Sequence, residues 1–259
     1  MKKICLTALL IFLFADFAGA TVLYTGTTVS SGVARWKMDD SSAPATDSWG
    51  SVNLSVSGSA TFNKSGQFGT SVQLGGSPNY LYASNPSSMN FSASDGSMTF
   101  TAWVKTSVAT DGIIAGRTEN IGGDCWKFYF SASGYLGFLF GEPTAGKYLQ
   151  LDATETDIRD GAWHHVAVSY ETSLPSSPDV NPKDLDSTAL YVDGVAVATT
   201  ATADDATWNG TIGDDFDIGA DRSSWNAKSY FSGYVDDACY WLSALSADDI
   251  YQVYLGNLE

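Results

Sequence analysis

The sequence predicts an all-β fold, a sandwich of two antiparallel sheets. Short runs rich in Val, Tyr, Phe, Trp and Thr alternate apolar with polar positions, and clusters of Gly, Asn, Asp and Ser separate them. Helical periodicity is nearly absent. Roughly a dozen such runs exceed what one twisted sheet holds comfortably, so two sheets must pack face to face.

Taken in order, the chain begins with a targeting signal. Lys2 and Lys3 precede the apolar run 4–17, and Ala18-Gly19-Ala20 supplies a small-residue cleavage site. The run is broken by Asp16 and falls short of the about 20 apolar residues a membrane span requires. A secreted chain of 21–259 is therefore expected, with no membrane insertion. Strands are expected at 33–38 (VARWKM), 71–74, 80–83, 98–106 (MTFTAWVKT), 112–116, 126–131 and 136–140. Further strands are expected at 163–170, 189–192, 195–199 and 234–242. Asp193-Gly194 between apolar runs is a two-residue hairpin signal, because both positions tolerate positive φ. Residues 171–187 carry Pro175, Pro178 and Pro182 without alternation and read as a mobile surface loop lacking any aromatic residue to grip a ligand. One short helical turn is expected near the C-terminus, where Ser246 and Asp249 form a capping pattern ahead of Ile250, Val253 and Tyr254. It would close one end of the sandwich. Nothing marks a second domain.

Charge and cysteines bound the function. The formal charge is −16, and loss of Lys2, Lys3 and Asp16 makes it −17. Such a surface repels nucleic acid and anionic lipid. Cys5 leaves with the signal, so Cys125 and Cys239 remain, and an oxidising exterior permits a bridge between them. Two buried free thiols are the other reading.

Both histidines of the chain sit side by side in AWHHVAVSY. Strand alternation puts Trp163, His165, Ala167 and Ser169 on one face and His164, Val166, Val168 and Tyr170 on the other. The two imidazoles point apart and cannot share an ion or a substrate.

Several segments resemble LamG-like jelly-roll domains of the concanavalin A-like lectin/glucanase superfamily. Trp163-His164-His165-Val166 with Leu190-Tyr191-Val192-Asp193-Gly194 resembles the family's central hairpin. VARWKMD, Phe68-Gly69-Thr70-Ser71-Val72-Gln73-Leu74 with Gly76, and FTAWV resemble earlier segments. Ile218-Gly219-Ala220, 231–237 (FSGYVDD) and 244–250 (ALSADDI) resemble the family's ending. The likeness spans a core of residues 33–254. The chain departs from it in the Pro-rich loop and at Cys239-Tyr240-Trp241. The resemblance implies a concanavalin A-like jelly roll in which the WHH histidine is framework.

The resemblance also frames the chemistry. Glucanases of the superfamily carry E-x-D-x-E on one strand, and that motif is missing here. The five glutamates (Glu119, Glu142, Glu155, Glu171 and Glu259) share no strand. Asp215-Phe216-Asp217 is the nearest substitute, with Phe216 and Ile218 facing the core and the aspartates facing outward as a solvated acidic face. Relatives of this fold hold a structural Ca²⁺ where the first and last strands meet. The matching positions are Asp39, Asp47, Asn53, Asp236 and Asp237, all oxygen donors of the kind Ca²⁺ takes. For sugar, Trp208-Asn209 and Trp225-Asn226 beside Arg222 lie in polar loops, where the rings would serve either as platforms or as caps on the sandwich edge. Arg117, Asn120 and Trp126 form a second candidate. Four sequons occur, at Asn53, Asn63, Asn90 and Asn209. The reading that fits best is a secreted, non-catalytic module whose partner is a glycan or glycoprotein. Its rivals are a polysaccharide-degrading hydrolase or lyase, and a structural surface protein mediating adhesion.

Overall fold

The computed structural model describes residues 28–92, 96–117, 125–142, 147–171, 188–203, 211–212, 214–221 and 230–259. The leader 1–20 and nearly all of the Pro-rich loop lie outside these. In chain order the strands are β1 (Ala34–Trp36), β2 (Ser55–Ser57), β3 (Thr61–Ser65), β4 (Thr70–Gly75), β5 (Tyr80–Ala83) and β6 (Phe91–Ser92). There follow β7 (Ser97–Lys105), β8 (Gly112–Arg117), β9 (Cys125–Phe130), β10 (Leu136–Glu142), β11 (Lys147–Ala153) and β12 (Trp163–Glu171). The last are β13 (Ala189–Val192), β14 (Val195–Ala196), β15 (Thr199–Ala203), β16 (Thr211–Ile212), β17 (Phe216–Ile218) and β18 (Ser232–Trp241). One helix, α1 (Ala247–Tyr254), follows β18.

Sixteen of these strands form two antiparallel sheets, and β6 pairs with β16 in a separate two-stranded ribbon. The first runs β14-β13-β12-β7-β18-β4-β3, with β1 also on β18; the second runs β15-β11-β10-β9-β8-β17-β5-β2. Between them lies the core. Phe100 and Tyr240 of the first sheet meet Trp126, Phe128 and Phe216 of the second, and Trp126 stacks on Tyr240 at 6.2 Å and 11°. Trp36 stacks on Phe216 at 5.2 Å, and its indole N–H donates to the Val52 carbonyl at 2.6 Å. Burying each such ring contributes roughly 1.5–3 kcal/mol.

Alternation explains β12. Val166, Val168 and Tyr170 enter the core, while His165 and Ala167 face away from it. The Asp193-Gly194 turn has φ of 51° and 78°, as the hairpin demands. Ser246 and Asp249 form a reciprocal capping box at the start of α1. The helix does not close an end of the sandwich. It lies on the outer face of the first sheet, where Ile250 packs on Ala167 and Tyr191, and Tyr254 stacks on Trp103 at 5.5 Å. Trp103 is thus buried beneath the helix and not between the sheets.

Cys125 and Cys239 are buried thiols not joined in a disulfide. Cys125 is opposite Gly141 in the second sheet, and Cys239 is opposite Thr101 and Arg35 in the first. Each points away from the shared core, so the whole sandwich separates them.

Candidate functional site

The outer face of the second sheet is paved with polar side chains in registered rows. One row crosses all eight strands. Ser55 is opposite Tyr82, Tyr82 opposite Asp217, and Asp217 opposite Gly116. Gly116 is opposite Lys127, Lys127 opposite Leu139, Leu139 opposite Gln150, and Gln150 opposite Thr202. Directly opposed residues share a face, so this row lies on the side away from the core. Gly116 contributes no side chain, which leaves a gap between Asp217 and Lys127.

The centre of the row is charged and shielded from water. Lys127 Nζ donates to Asp221 Oδ2 at 2.5 Å; the two residues are 5% and 3% exposed, and Asp217 is 0% exposed. Asp221 reaches Lys127 because the chain leaves β17 through Gly219, whose φ of +94° favours glycine. A neighbouring row adds Tyr129, Gly137 and Asp152. A Cβ on Gly137 would fall within the Tyr129 ring, so glycine lets the ring lie across β10. The Tyr129 hydroxyl then donates to Asp152 Oδ1 at 2.7 Å, and the Gln150 amide donates to Asp152 Oδ2 at 2.5 Å. Burial, reinforced by Asp152, pushes the Tyr129 phenol well above its ordinary range, so it remains a donor.

These positions correct two expectations. Phe216 and Ile218 do face the core, and Asp217 faces outward, but it is fully buried and not part of a solvated acidic face. The pair Arg117 and Trp126 lies on the core side. Trp126 has no exposed surface and offers no ring to a sugar. Arg117, also fully buried, donates through Nε to the Asp214 carbonyl at 2.9 Å. Lys127, next to Trp126, is the residue that alternation turns outward, and that reversal was the available signal. Asn120, Trp208, Asn209, Arg222, Trp225 and Asn226 lie outside the described residues.

The five candidate Ca²⁺ ligands separate into local roles. Asp47 Oδ1 accepts backbone N–H groups from Arg35, Trp49 and Gly50, and its Oδ2 accepts from Val52, all at 2.9–3.0 Å. Asn53 Oδ1 accepts from the Asp47 N–H at 2.9 Å. A bulge in β18 between Asp236 and Cys239 puts both Asp236 and Asp237 on the outer face of the first sheet. There Arg35 holds Asp237 with two hydrogen bonds of 2.7 and 3.0 Å. Asp236 Oδ2 accepts from the Phe68 N–H, and Asp39 Oδ1 from the Thr70 N–H, each at 2.8 Å, so the two aspartates clamp the turn around Gly69. Burial pushes Asp236 up to about 7, and its Oδ1 has no hydrogen-bond partner. Asp39 and Asp237 line a cavity of about 260 Å³ that Arg35 and Lys37 also line. Among the described residues no three His, Cys, Asp or Glu side chains gather as metal ligands. The five side chains do not fit one shared ion.

His164 Nδ1 lies 2.9 Å from Asp193 Oδ2, and Nε2 lies 3.1 Å from Asp160 Oδ1. The Asp193 hydrogen bond raises its pKa, against the opposing effect of partial burial. His165 sits beside the stacked Trp103 and Tyr254 rings, and burial lowers it to about 3. The two imidazoles serve different parts of the framework.

Over residues 74–251 the chain matches the family described as the concanavalin A-like lectin/glucanases superfamily. No curated protein matches it. Among solved structures it is similar to the receptor-binding domain of the botulinum neurotoxin C/D mosaic serotype (TM-score 0.60, 16% identity, 87% of this chain and 51% of that one). Botulinum neurotoxin type C, whose cell entry depends upon interaction with two ganglioside molecules, is similar at TM-score 0.59 and 13% identity, over 88% of this chain and 51% of that one. Domain 4 of an extracellular GH43 arabinanase from Geobacillus stearothermophilus, solved with arabinotriose, is similar at TM-score 0.61 and 15% identity, over 86% of this chain and 98% of that domain. The chain spans about half the length of the toxin domains it matches. At these identities the likeness is one of fold.

Proposed function

Since this chain belongs to the concanavalin A-like lectin/glucanases superfamily, we propose that it is a secreted, non-catalytic glycan-binding module that uses the outer face of its second sheet. The polar paving of that face carries the reading. A sheet face on a protein exterior needs neither a buried lysine–aspartate pair nor a fully buried aspartate in the next register position, and both are costly to desolvate. Themselves shielded from water, they form a fixed charged layer beneath Tyr82, Tyr129, Gln150 and Asp152, which are half-exposed and are the groups a ligand reaches. Sugar hydroxyls donate and accept together, which suits such a mixed floor. The ligands of the structural neighbours, gangliosides and arabinotriose, support the same class. Secretion rests on the leader sequence, and among the described residues no helix is long and apolar enough to cross a membrane.

A glycan array probed with the folded chain tests this. The expected result is a sugar-specific signal that falls at least about tenfold in the Lys127→Met/Asp221→Met double variant, which removes the charged layer that holds the half-exposed polar groups in place. A signal unchanged in that variant removes the site from this face. A blank array with self-association of the chain moves the function to adhesion. Reducing ends released from a polysaccharide, and lost in Asp217→Asn, make the module a hydrolase.

A further inference from the structure

Beyond the charged centre, the β2 edge of the second sheet borders a groove of about 470 Å³. Its polar lining consists of hydroxyls and amides, from Ser51, Asn53, Ser55, Tyr82, Asn85 and Ser88 among others, and none of the described residues that line it carries a charge. The walls are held from outside the groove. Asn85 adopts a φ of 40°, a conformation costly for a residue other than glycine, and its N–H donates to Asp215 Oδ1 at 2.8 Å. The Asp47 N–H fixes the Asn53 amide through Oδ1, and no described residue accepts from its Nδ2. Tyr82 is half-buried, with Tyr80 beside it at 5.8 Å and Tyr230 beyond at 6.2 Å.

The groove is continuous with the charged row. Tyr82 and Ser55 belong to both. From Tyr82 on β5 across β17 and β8 to β9, which carries the half-exposed Tyr129, is three strand steps, about 14 Å at the usual inter-strand spacing. Each step is comparable to the advance per sugar along an extended polysaccharide.

We propose that the groove is a second saccharide subsite for an uncharged sugar, so that the ligand is a neutral oligosaccharide lying across the strands. This rests on the glycan reading of the sheet face. Hydroxyls and amides in the walls match a neutral sugar's hydroxyls, and the Tyr82 ring matches its apolar face. A uronate or sulfate would lose water here without meeting a cation among the described lining residues, in a chain of net charge −16.

Calorimetric titration with neutral oligosaccharides of two and six units, from glucan, xylan and arabinan series, tests the proposal. The six-unit member of the preferred series should bind at least about tenfold tighter than the two-unit member. Ser51→Trp and Ser88→Trp fill the groove from exposed positions outside the row and should shrink that advantage to about twofold or less, with two-unit binding and the melting temperature unchanged. The Lys127→Met/Asp221→Met variant should weaken both lengths. A length advantage that is absent, or that survives both tryptophan variants, overturns the groove and leaves the sheet-face site standing. Tighter binding of oligogalacturonate than of any neutral series overturns the uncharged class. Unaltered binding in the Lys127/Asp221 variant overturns the sheet-face site, and the groove's place beside it.

Discussion

At the scale of single residues, alternation is a strong guide to direction and a weak one to environment. His164 and His165 diverge as the two-residue period requires, yet their surroundings come from elsewhere in the chain. Asp193, 29 positions away, holds His164. That contact carries a pH signature. The Asp193 hydrogen bond, aided by Asp160, raises the imidazole's folded pKa above its ordinary 6.5. A raised value means the fold favours the protonated form. Its stabilisation is fully present below the unfolded value and is lost as pH rises through the folded one. Asp193 and Asp160 are 39% and 60% exposed, so the gain is that of a surface pair, about 0.2–1 kcal/mol. His164→Asn should therefore melt about 1–3 °C below the parent near pH 5.5, with the gap closing near pH 9. A gap that stays constant with pH would assign His164 a packing role only. The same limit on alternation explains Asp217 and Lys127. The sequence places both outward, but whether outward means wet depends on what covers the sheet.

At the scale of elements, what could be read was what lies inside one segment. The apolar alternation in β7, β12 and β13, the Asp193-Gly194 turn and the Ser246 capping box are all local, and each appears in the structure where expected. β2 and β3 carry few apolar side chains at the edges of their sheets and gave no signal. β11 (KYLQLDA) alternates properly, with Leu149 and Leu151 inward, but one short strand is indistinguishable from a loop until its partner is known. The candidate site is register made visible. Lys127 and Asp221 stand 94 positions apart, and only the β8–β9 and β8–β17 pairings bring them together. Their buried pair has a testable energetics. Lys127→Met or Asp221→Met alone takes the opposite charge of the pair from a buried group and should cost about 3–5 kcal/mol, whereas the double change should cost less than either single one. Urea melts of the four proteins give the coupling energy. Additive losses would mean the two groups do not depend on each other.

At the scale of the whole molecule, excess negative charge is the dominant long-range force. A net −16 on 259 residues repels itself, and screening should relieve it. The melting temperature is therefore expected to rise with added NaCl. CaCl₂ and MgCl₂ should each raise it similarly at matched ionic strength, because general screening has no preference for the larger ion. A bound structural ion behaves differently. It stabilises by mass action with its own dissociation constant, and a chelator removes that gain. The carboxylate oxygens near the Gly69 turn that accept no hydrogen bond from a described residue are one each on Asp39 and Asp236, and Lys37 and Arg35 stand beside them. That is far short of the six to eight oxygens Ca²⁺ takes, in a cavity already holding two cations. EDTA at constant ionic strength should leave the melting curve in place. A fall of several degrees, reversed by Ca²⁺ and not by Mg²⁺, and abolished in Asp236→Asn, would instead make the turn a calcium clamp and put the ion into any account of how the sheets are held.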